Sequence, residues 1–308
     1  TESDNMALIK TAEYMAEKGN HIITTNVEHP AVLNPLKYLE NHDFEVTYLP
    51  VDKKGCISLD QVKEAIRPDT ILVSVMTGNN EVGTLMPVKE IGAYIDSLDQ
   101  EIVYHTDAVQ AYGLMPLDVD DLKVDLLSVS AHKMNGPKGI GFLYVRSGLN
   151  IPNFLLGGAQ ENERRAGTEN IPAILAFEKA IELSFEKMEE NVAHLKALKE
   201  RFIELLQESA IEFTLNGDIE NSLPHVFSVN FPALRSDMLL IQMDLRGVAM
   251  SAGSACSAGT IEPSHVLVSM FGADANEIDH TVRFSFGLGN TLEQIEQVVS
   301  ILEIILVK

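Results

Sequence analysis

Apolar residues along this chain fall into short runs separated by segments of helical spacing. In the first twenty residues Leu8, Ile9, Ala12, Met15 and Ala16 share one helical face, with Gly19-Asn20 as a stop. Strands are expected at 21–27, 44–51, 70–76, 101–105, 124–129 and 141–145. Between them, one helix opens at Pro30 and others cover 59–66 and 88–98. Strands that alternate with helices in this way predict a mostly parallel sheet covered on both faces. From 171 to 207 apolar residues recur at three- and four-residue steps, and a domain boundary is expected near Lys187. That gives a larger domain, 1–187, and a smaller one, 188–308. In the smaller one, 226–231 and 246–250 are expected as strands, and 264–270 and 292–307 as helices, the last capped by Asn290 or Thr291. This mixture suits an α+β domain. No internal repeat or low-complexity tract interrupts the pattern.

Composition narrows the class of protein. A length of 308 residues with 45% hydrophobic content supports about two domains with real cores. Lys and Arg number 23 against 45 Asp and Glu, so the net charge is 23 − 45 = −22. That balance disfavours a direct nucleic-acid binder and suits docking of a basic partner. No apolar run approaches the roughly 20 residues of a membrane helix. Two cysteines, Cys56 and Cys256, provide neither a disulfide framework nor a clustered metal set, which points to a reducing compartment such as the cytoplasm. The chain does not begin with Met, and an N-terminal segment is expected to precede it.

Candidate chemistry sits at the ends of the expected strands. The segment SVSAHKMNGPKGIG (128–141) lies between two apolar runs and carries Ser130, His132, Lys133 and Lys138. A lysine at the exit of a buried strand is paired, turned to solvent or used as an amine, and an amine with a lowered pKa forms Schiff bases with carbonyl compounds. Asp107, in HTDAVQAYG, lies at a strand's carboxyl end, where open α/β sheets place ligands. It could equally cap a following helix. His29 precedes Pro30 at a strand-to-helix turn, where a structural role is equally natural. Thr1 opens a helix whose free N–H groups suit a phosphate. Asn80, in TGNNEVGTLMP, could be turn chemistry alone. Cys256 lies among Ser, Ala and Gly, a run with little to pack and expected to be soft, whereas Cys56 follows a surface turn and is taken as incidental. Arg283 begins a strand-like piece, and its fork suits a carboxylate.

Together these segments resemble one family. SAHKMNGPKGIG, EHPAV, HTDAVQAYG, RRAGTEN, MSAGSACSAGT and VRFSFGLGN are similar to the motifs of cysteine desulfurases of the NifS/IscS-like group, fold-type I pyridoxal-phosphate enzymes of the class V aminotransferase family. The resemblance covers nearly the whole chain. It implies an α/β transferase fold, and a Schiff base on Lys133 rather than Lys138. It implies that His29 stacks on the cofactor ring, Asp107 meets the ring nitrogen and Gln110 the phenolic oxygen. Thr1, Ser130 and His132 would belong to the cofactor site, with Thr168 reaching the phosphate of a second subunit in a homodimer. Ala166 stands where the family usually has Ser. Asn80 and Arg283 would take the substrate carboxylate, and Cys256 would carry sulfur from L-cysteine to an iron–sulfur scaffold or thiolation enzyme. Alternatives are a non-catalytic scaffold, or an aminotransferase or selenocysteine lyase on the same fold.

Overall fold

The computed structural model describes residues 1–253 and 263–307. Cys256 lies outside the described residues. The chain divides into two compact units: Thr1–Pro50 with Ile57–Thr77 and Met86–Glu186, and Val51–Cys56 with Gly78–Leu85 and Lys187–Lys308.

The first unit is an α/β sheet. Its opening helix runs as α1 (Glu2–Asn5), a π-helical turn Met6–Lys10 and α2 (Thr11–Met15). There follow β1 (His21–Thr25), α3 (Pro30–Glu40), β2 (Glu45–Leu49), α4 (Leu59–Ala65), β3 (Thr70–Ser74), α5 (Val88–Asp96), β4 (Val103–Asp107), β5 (Leu126–Ser130), β6 (Gly141–Val145) and α6 (Ile171–Glu186). The strand order is β2-β1-β3-β4-β5-β6; every pair is parallel except β5–β6. All five residues of β1, β3 and β4 are buried, as expected of parallel strands covered on both faces. Some of the buried polar side chains in and just beyond these strands pair across the sheet. His21 sits between Thr70 Oγ1 (2.7 Å) and Thr47 Oγ1 (2.8 Å), and Thr77 Oγ1 meets Thr106 Oγ1 at 2.8 Å. On one face α5 packs so closely that a Cβ on Gly92 would lie 2.0 Å from the Leu122 carbonyl oxygen.

The helical stretch beginning at Ile171 breaks at Lys187, whose backbone leaves the helical region. The second unit then carries α7 (Met188–Glu208), β7 (Thr214–Asn216), β8 (Val226–Asn230), α8 (Ser236–Asp244), α9 (His265–Phe271), α10 (Glu277–His280), β9 (Thr281–Ser285) and α11 (Leu292–Leu306). An antiparallel sheet, β7-β8-β9, is packed by helices. Thr291, not Asn290, caps α11: its hydroxyl accepts from the Gln294 N–H while the Gln294 side chain returns to the Thr291 N–H. The strand expected at 246–250 does not form. Residues 245–247 turn, and only Ser251 reaches a strand, as a single bridge to Arg283. The apolar residues of that segment, Val248 and Met250, pack on the core instead.

Phe202 of α7 is fully buried in that core, with ring centroids 5.2 Å from Phe227 and 4.6 Å from Phe284. Removing such a ring costs its transfer free energy and leaves a cavity that rigid strands close poorly. Phe202→Ala is expected to lose about 3–5 kcal/mol of stability, measured by urea unfolding. A loss below ~1 kcal/mol would mean that the core collapses around the missing ring.

Candidate active site

At the carboxyl end of the first unit's sheet, three carboxyl groups are buried together. Asp107 ends β4, and its Oδ1 accepts from the Val109 N–H (2.9 Å), closing a tight turn rather than capping a helix. Glu28 follows β1; its Oε1 accepts from the Met76 N–H and the Thr25 hydroxyl, both at 2.9 Å. Asp4 reaches in from α1, and its Oδ1 has no hydrogen-bond partner among the described residues. Burial pushes the Glu28 carboxyl up to about 8. Burial, then the neighbouring Asp4 charge, raises the Asp107 carboxyl well above the usual carboxylate range, while the charge of Lys133 works against that rise.

His105 lies two residues before Asp107 on the same face of β4. Its ring is held by Ser74 Oγ (2.9 Å) and Ser128 Oγ (3.0 Å), with Asp4 Oδ1 at 3.7 Å from Nε2. Burial pulls its pKa down to about 4, so the ring is neutral at physiological pH. It therefore supplies a dipole and no charge to the carboxyl groups around it.

The lysine segment leaves β5 as a single 3-10 turn, Ala131–Met134, closed by Asn135 in the left-handed region (φ 61°). Lys133 lies on that turn and is exposed, not desolvated as a strand-exit amine could be. Ser130 Oγ and His132 Nδ1 are 2.8 Å apart, and burial followed by the charges of Lys133 and Lys138 lowers the His132 pKa. Gln110 is half-buried in the turn after Asp107. His29 combines two properties. Its Nδ1 accepts from the Ala31 N–H (3.1 Å) as the cap of α3, which leaves the ring proton on Nε2. The same residue lines a cavity of about 410 Å³ with Thr1, Asn5 and Tyr38. Thr1 also borders a second cavity, of about 630 Å³, with Ser130, His132, Arg165 and Gly167. Thr168, next to Gly167, is exposed in a polar loop tied back by the Arg165–Glu2 ion pair (2.8 Å). Ala166 of that loop is buried.

In the second unit, Asn80 and Arg283 come together. Arg283 is central in β9, and its Nη1 donates to the Asn80 carbonyl (2.8 Å). Beside them the buried Glu81 accepts from the Ser264 hydroxyl at 2.5 Å, and Ser264 in turn caps α9. Asp4, Glu28, His105 and Glu81 were not singled out from the sequence. Glu28 is adjacent to His29 in EHPAV, which is the one local signal available; nothing in the sequence announces that an acid there is buried.

Residues 1–298 match the model of the class-V aminotransferase family. IscS 1 of Bacillus subtilis is 50% identical over 96% of this chain and 78% of its own length. The cysteine desulfurase IscS of Dictyoglomus turgidum is 44% identical, covering 100% of this chain and 77% of its own. Among solved structures, a NifS-like protein superposes with a TM-score of 0.90 at 35% identity, over 99% of this chain and 80% of that one. SspA in complex with cysteine superposes with a TM-score of 0.78 at 36% identity, over 92% of this chain and 78% of that one.

The raised Glu28 carboxyl has a consequence for stability. Its folded pKa of about 8 lies above its unfolded value, so its stabilising contribution is complete below that unfolded value and is lost as pH rises through the folded one. Glu28→Gln keeps the acceptor oxygen and removes the titration. The variant is expected to match the parent near pH 4 and to exceed it near pH 8 by at least about 1 kcal/mol, since each pKa unit corresponds to about 1.4 kcal/mol. Chemical unfolding across this pH range checks it. A difference that stays constant with pH would show that Glu28 does not titrate as described.

Proposed function

This chain belongs to the class-V aminotransferase family, and from that premise we propose that it is a pyridoxal-phosphate-dependent cysteine desulfurase. The reaction converts L-cysteine to L-alanine and passes the sulfur through a persulfide on Cys256 to an acceptor protein. The observation that carries this reading is the buried carboxyl of Asp107 at the end of β4, raised by burial and by Asp4. A buried carboxyl of this kind ionises when a cation is placed against it, and a protonated pyridine nitrogen is such a cation. Asp4 lies nearby, and its Oδ1 has no hydrogen-bond partner among the described residues. The residues present therefore fit the cofactor.

In this assignment Lys133 holds pyridoxal 5'-phosphate covalently and Asp107 takes its ring nitrogen. His29, whose capping bond fixes its ring orientation, lies against the ring. Gln110 meets the phenolic oxygen, Thr1, Ser130 and His132 belong to the phosphate end, and Thr168 serves the partner subunit's phosphate. When bound, the group supplies a carbonyl that captures amines and a ring that accepts the electrons left on the substrate Cα. Asn80 and Arg283 anchor the substrate carboxylate, the arginine by its two-pronged fork. Lys133, as a neutral amine, accepts the Cα proton. The Cys256 thiolate attacks the substrate sulfur: an S–S bond forms, the substrate C–S bond breaks, and the carbon skeleton takes up protons to leave as alanine. L-Cysteine as substrate is also supported by the cysteine complex of the structurally similar SspA.

A homodimer is part of this proposal. Helix α6 leaves Ile171, Ile174, Leu175, Leu183 and Phe185 exposed, and the polar loop before it carries Thr168. An apolar helix face of this size is covered in a stable assembly.

Purified protein supplied with pyridoxal phosphate and L-cysteine is expected to release alanine and accumulate persulfide on Cys256. Cys256→Ser keeps the size and removes the soft nucleophile, so alanine release falls by about 10²-fold or more while the protein still binds the cofactor. Cys56→Ser leaves the rate unchanged, because the Cys56 thiol is half-buried with its Sγ against the Leu85 carbonyl (3.7 Å). Near-normal alanine release from Cys256→Ser would sink the mechanism and indicate direct elimination of sulfide.

A further inference from the structure

Lys199 lies on the core face of α7, in line with Leu195, Leu198, Phe202 and Leu206, and is only 6% exposed. A leucine or methionine would satisfy the packing there. An ammonium in such a place loses its hydration and is retained only where acceptors replace the water. Three do. The Nζ donates to the Ser222 hydroxyl (2.8 Å), the Leu223 carbonyl (3.2 Å) and the Val226 carbonyl (3.3 Å). All three belong to one short turn leading into β8, and the three N–H groups of the ammonium match them in number. Burial pulls the Lys199 pKa down to about 8, which leaves the three-donor form in the majority at neutral pH.

That turn in turn holds the segment carrying Asn80. The Leu223 N–H donates to the Gly83 carbonyl (2.8 Å) and the Leu85 N–H to the Asn221 carbonyl (3.1 Å), with Thr84 and Ser222 bridged between them. Gly83 has φ +81°, and a Cβ there would lie 3.0 Å from the Val226 carbonyl oxygen, which is one of the three acceptors. The segment turns back at Asn79, whose Oδ1 accepts from the N–H groups of Glu81 (2.8 Å) and Val82 (3.0 Å). It thereby presents the Asn80 carbonyl to Arg283 Nη1 (2.8 Å). Hydrogen bonds, joined by the backbone of the 79–83 turn, connect the lysine to the arginine, all within the second unit.

We propose that Lys199 is a positioning residue for the substrate-carboxylate subsite, fixing the 222–226 turn and through it the Asn80 carbonyl that orients the Arg283 guanidinium. This rests on the assignment of Arg283 and Asn80 to the carboxylate of L-cysteine. Lys199 is enclosed in the second unit's core with its ammonium bonded to Ser222, Leu223 and Val226, so it acts on binding of the carboxylate rather than on the chemical step.

The test uses the cofactor-loaded enzyme and the variants Lys199→Met, Ser222→Ala and Arg283→Gln. Lys199→Met is expected to raise the KM for L-cysteine about tenfold with kcat held within about twofold, the signature of lost uniform binding. Spectral titration with cysteamine, an amine without the carboxylate, is expected to give the same affinity in the variant and the parent. Hydrogen exchange is expected to speed up at the Leu85 and Leu223 amides. Ser222→Ala removes one of the three acceptors and keeps the lysine, so it shows the same pattern at smaller size and serves if Lys199→Met folds poorly. Arg283→Gln combined with Lys199→Met is expected to raise KM by less than the product of the single effects, because the two act through one group. An unchanged KM and unchanged exchange in Lys199→Met, with KM raised in Arg283→Gln, would overturn the positioning role and leave the desulfurase assignment standing. Equal weakening of cysteamine and L-cysteine would reduce Lys199 to a general structural part. If Arg283→Gln itself leaves KM unchanged, the carboxylate assignment fails, whatever Lys199 does.

Discussion

Burial of Asp107 is the constraint on which the first unit's chemistry depends. A carboxylate removed from water is costly unless a cation or a set of donors replaces the hydration. Here one N–H, from Val109, serves Oδ1, and Asp4 adds charge of the same sign. The neutral His105 on the same face does nothing to relieve this, because Ser74 and Ser128 already hold both of its ring nitrogens. The arrangement disfavours a charged carboxylate by itself, and the proposed cationic ring nitrogen would offset that cost. Under the proposed assignment cofactor affinity and protein stability are coupled: the bound cation would lift a penalty that the folded sheet otherwise carries.

The sheet makes that burial possible. Strands β1, β3 and β4 are covered completely, so the groups at their carboxyl ends stand on a rigid base. Several polar side chains in and just beyond these strands are matched, as with His21 between two threonines and Thr77, past the end of β3, against Thr106. Each pair fixes the relation of neighbouring strands in addition to satisfying a buried donor. Rigid support matters at Asp107 because the hydrogen bond proposed for it, to a ring nitrogen, is directional, and a loose carboxyl would lose that direction.

Legibility in the sequence followed burial. The strands of the first unit stand out because each holds apolar or β-branched residues between helix and turn signals, and each was expected to within a few residues. The second unit was less legible. β7 is three residues long, α10 is four, and α8 has weak amphipathic character because Met238 and Ile241 face solvent. Residues 246–250 have strand-like composition, but the apolar side chains settle on the core without strand pairing. At the candidate site, Thr1, His29, Asp107, Ser130 and His132 stood at element ends, where chemistry is easy to suspect. Asp4, Glu28 and Glu81 did not stand out. An acidic residue looks solvent-exposed in a sequence, and only the fold shows which ones are enclosed.

The two units hold their functional groups in different ways. In the first, Asp107, Ser130, His132 and Lys133 project from the end of a strand or the first turn beyond it, and the sheet itself sets their position. In the second, Asn80 lies on a segment without regular structure, 78–85, whose order comes from backbone pairing with 221–223 and from the Asn79 side chain. The segment is enclosed, with every residue but Leu85 buried, so its polar groups depend on these internal hydrogen bonds rather than on water. It stays in place because its partner turn is itself gathered around the buried Lys199 ammonium. A charge in the core is thus tolerated where three carbonyl or hydroxyl oxygens of one turn need a common donor. The cost of burying it is borne by α7, whereas the arginine proposed to benefit lies on β9.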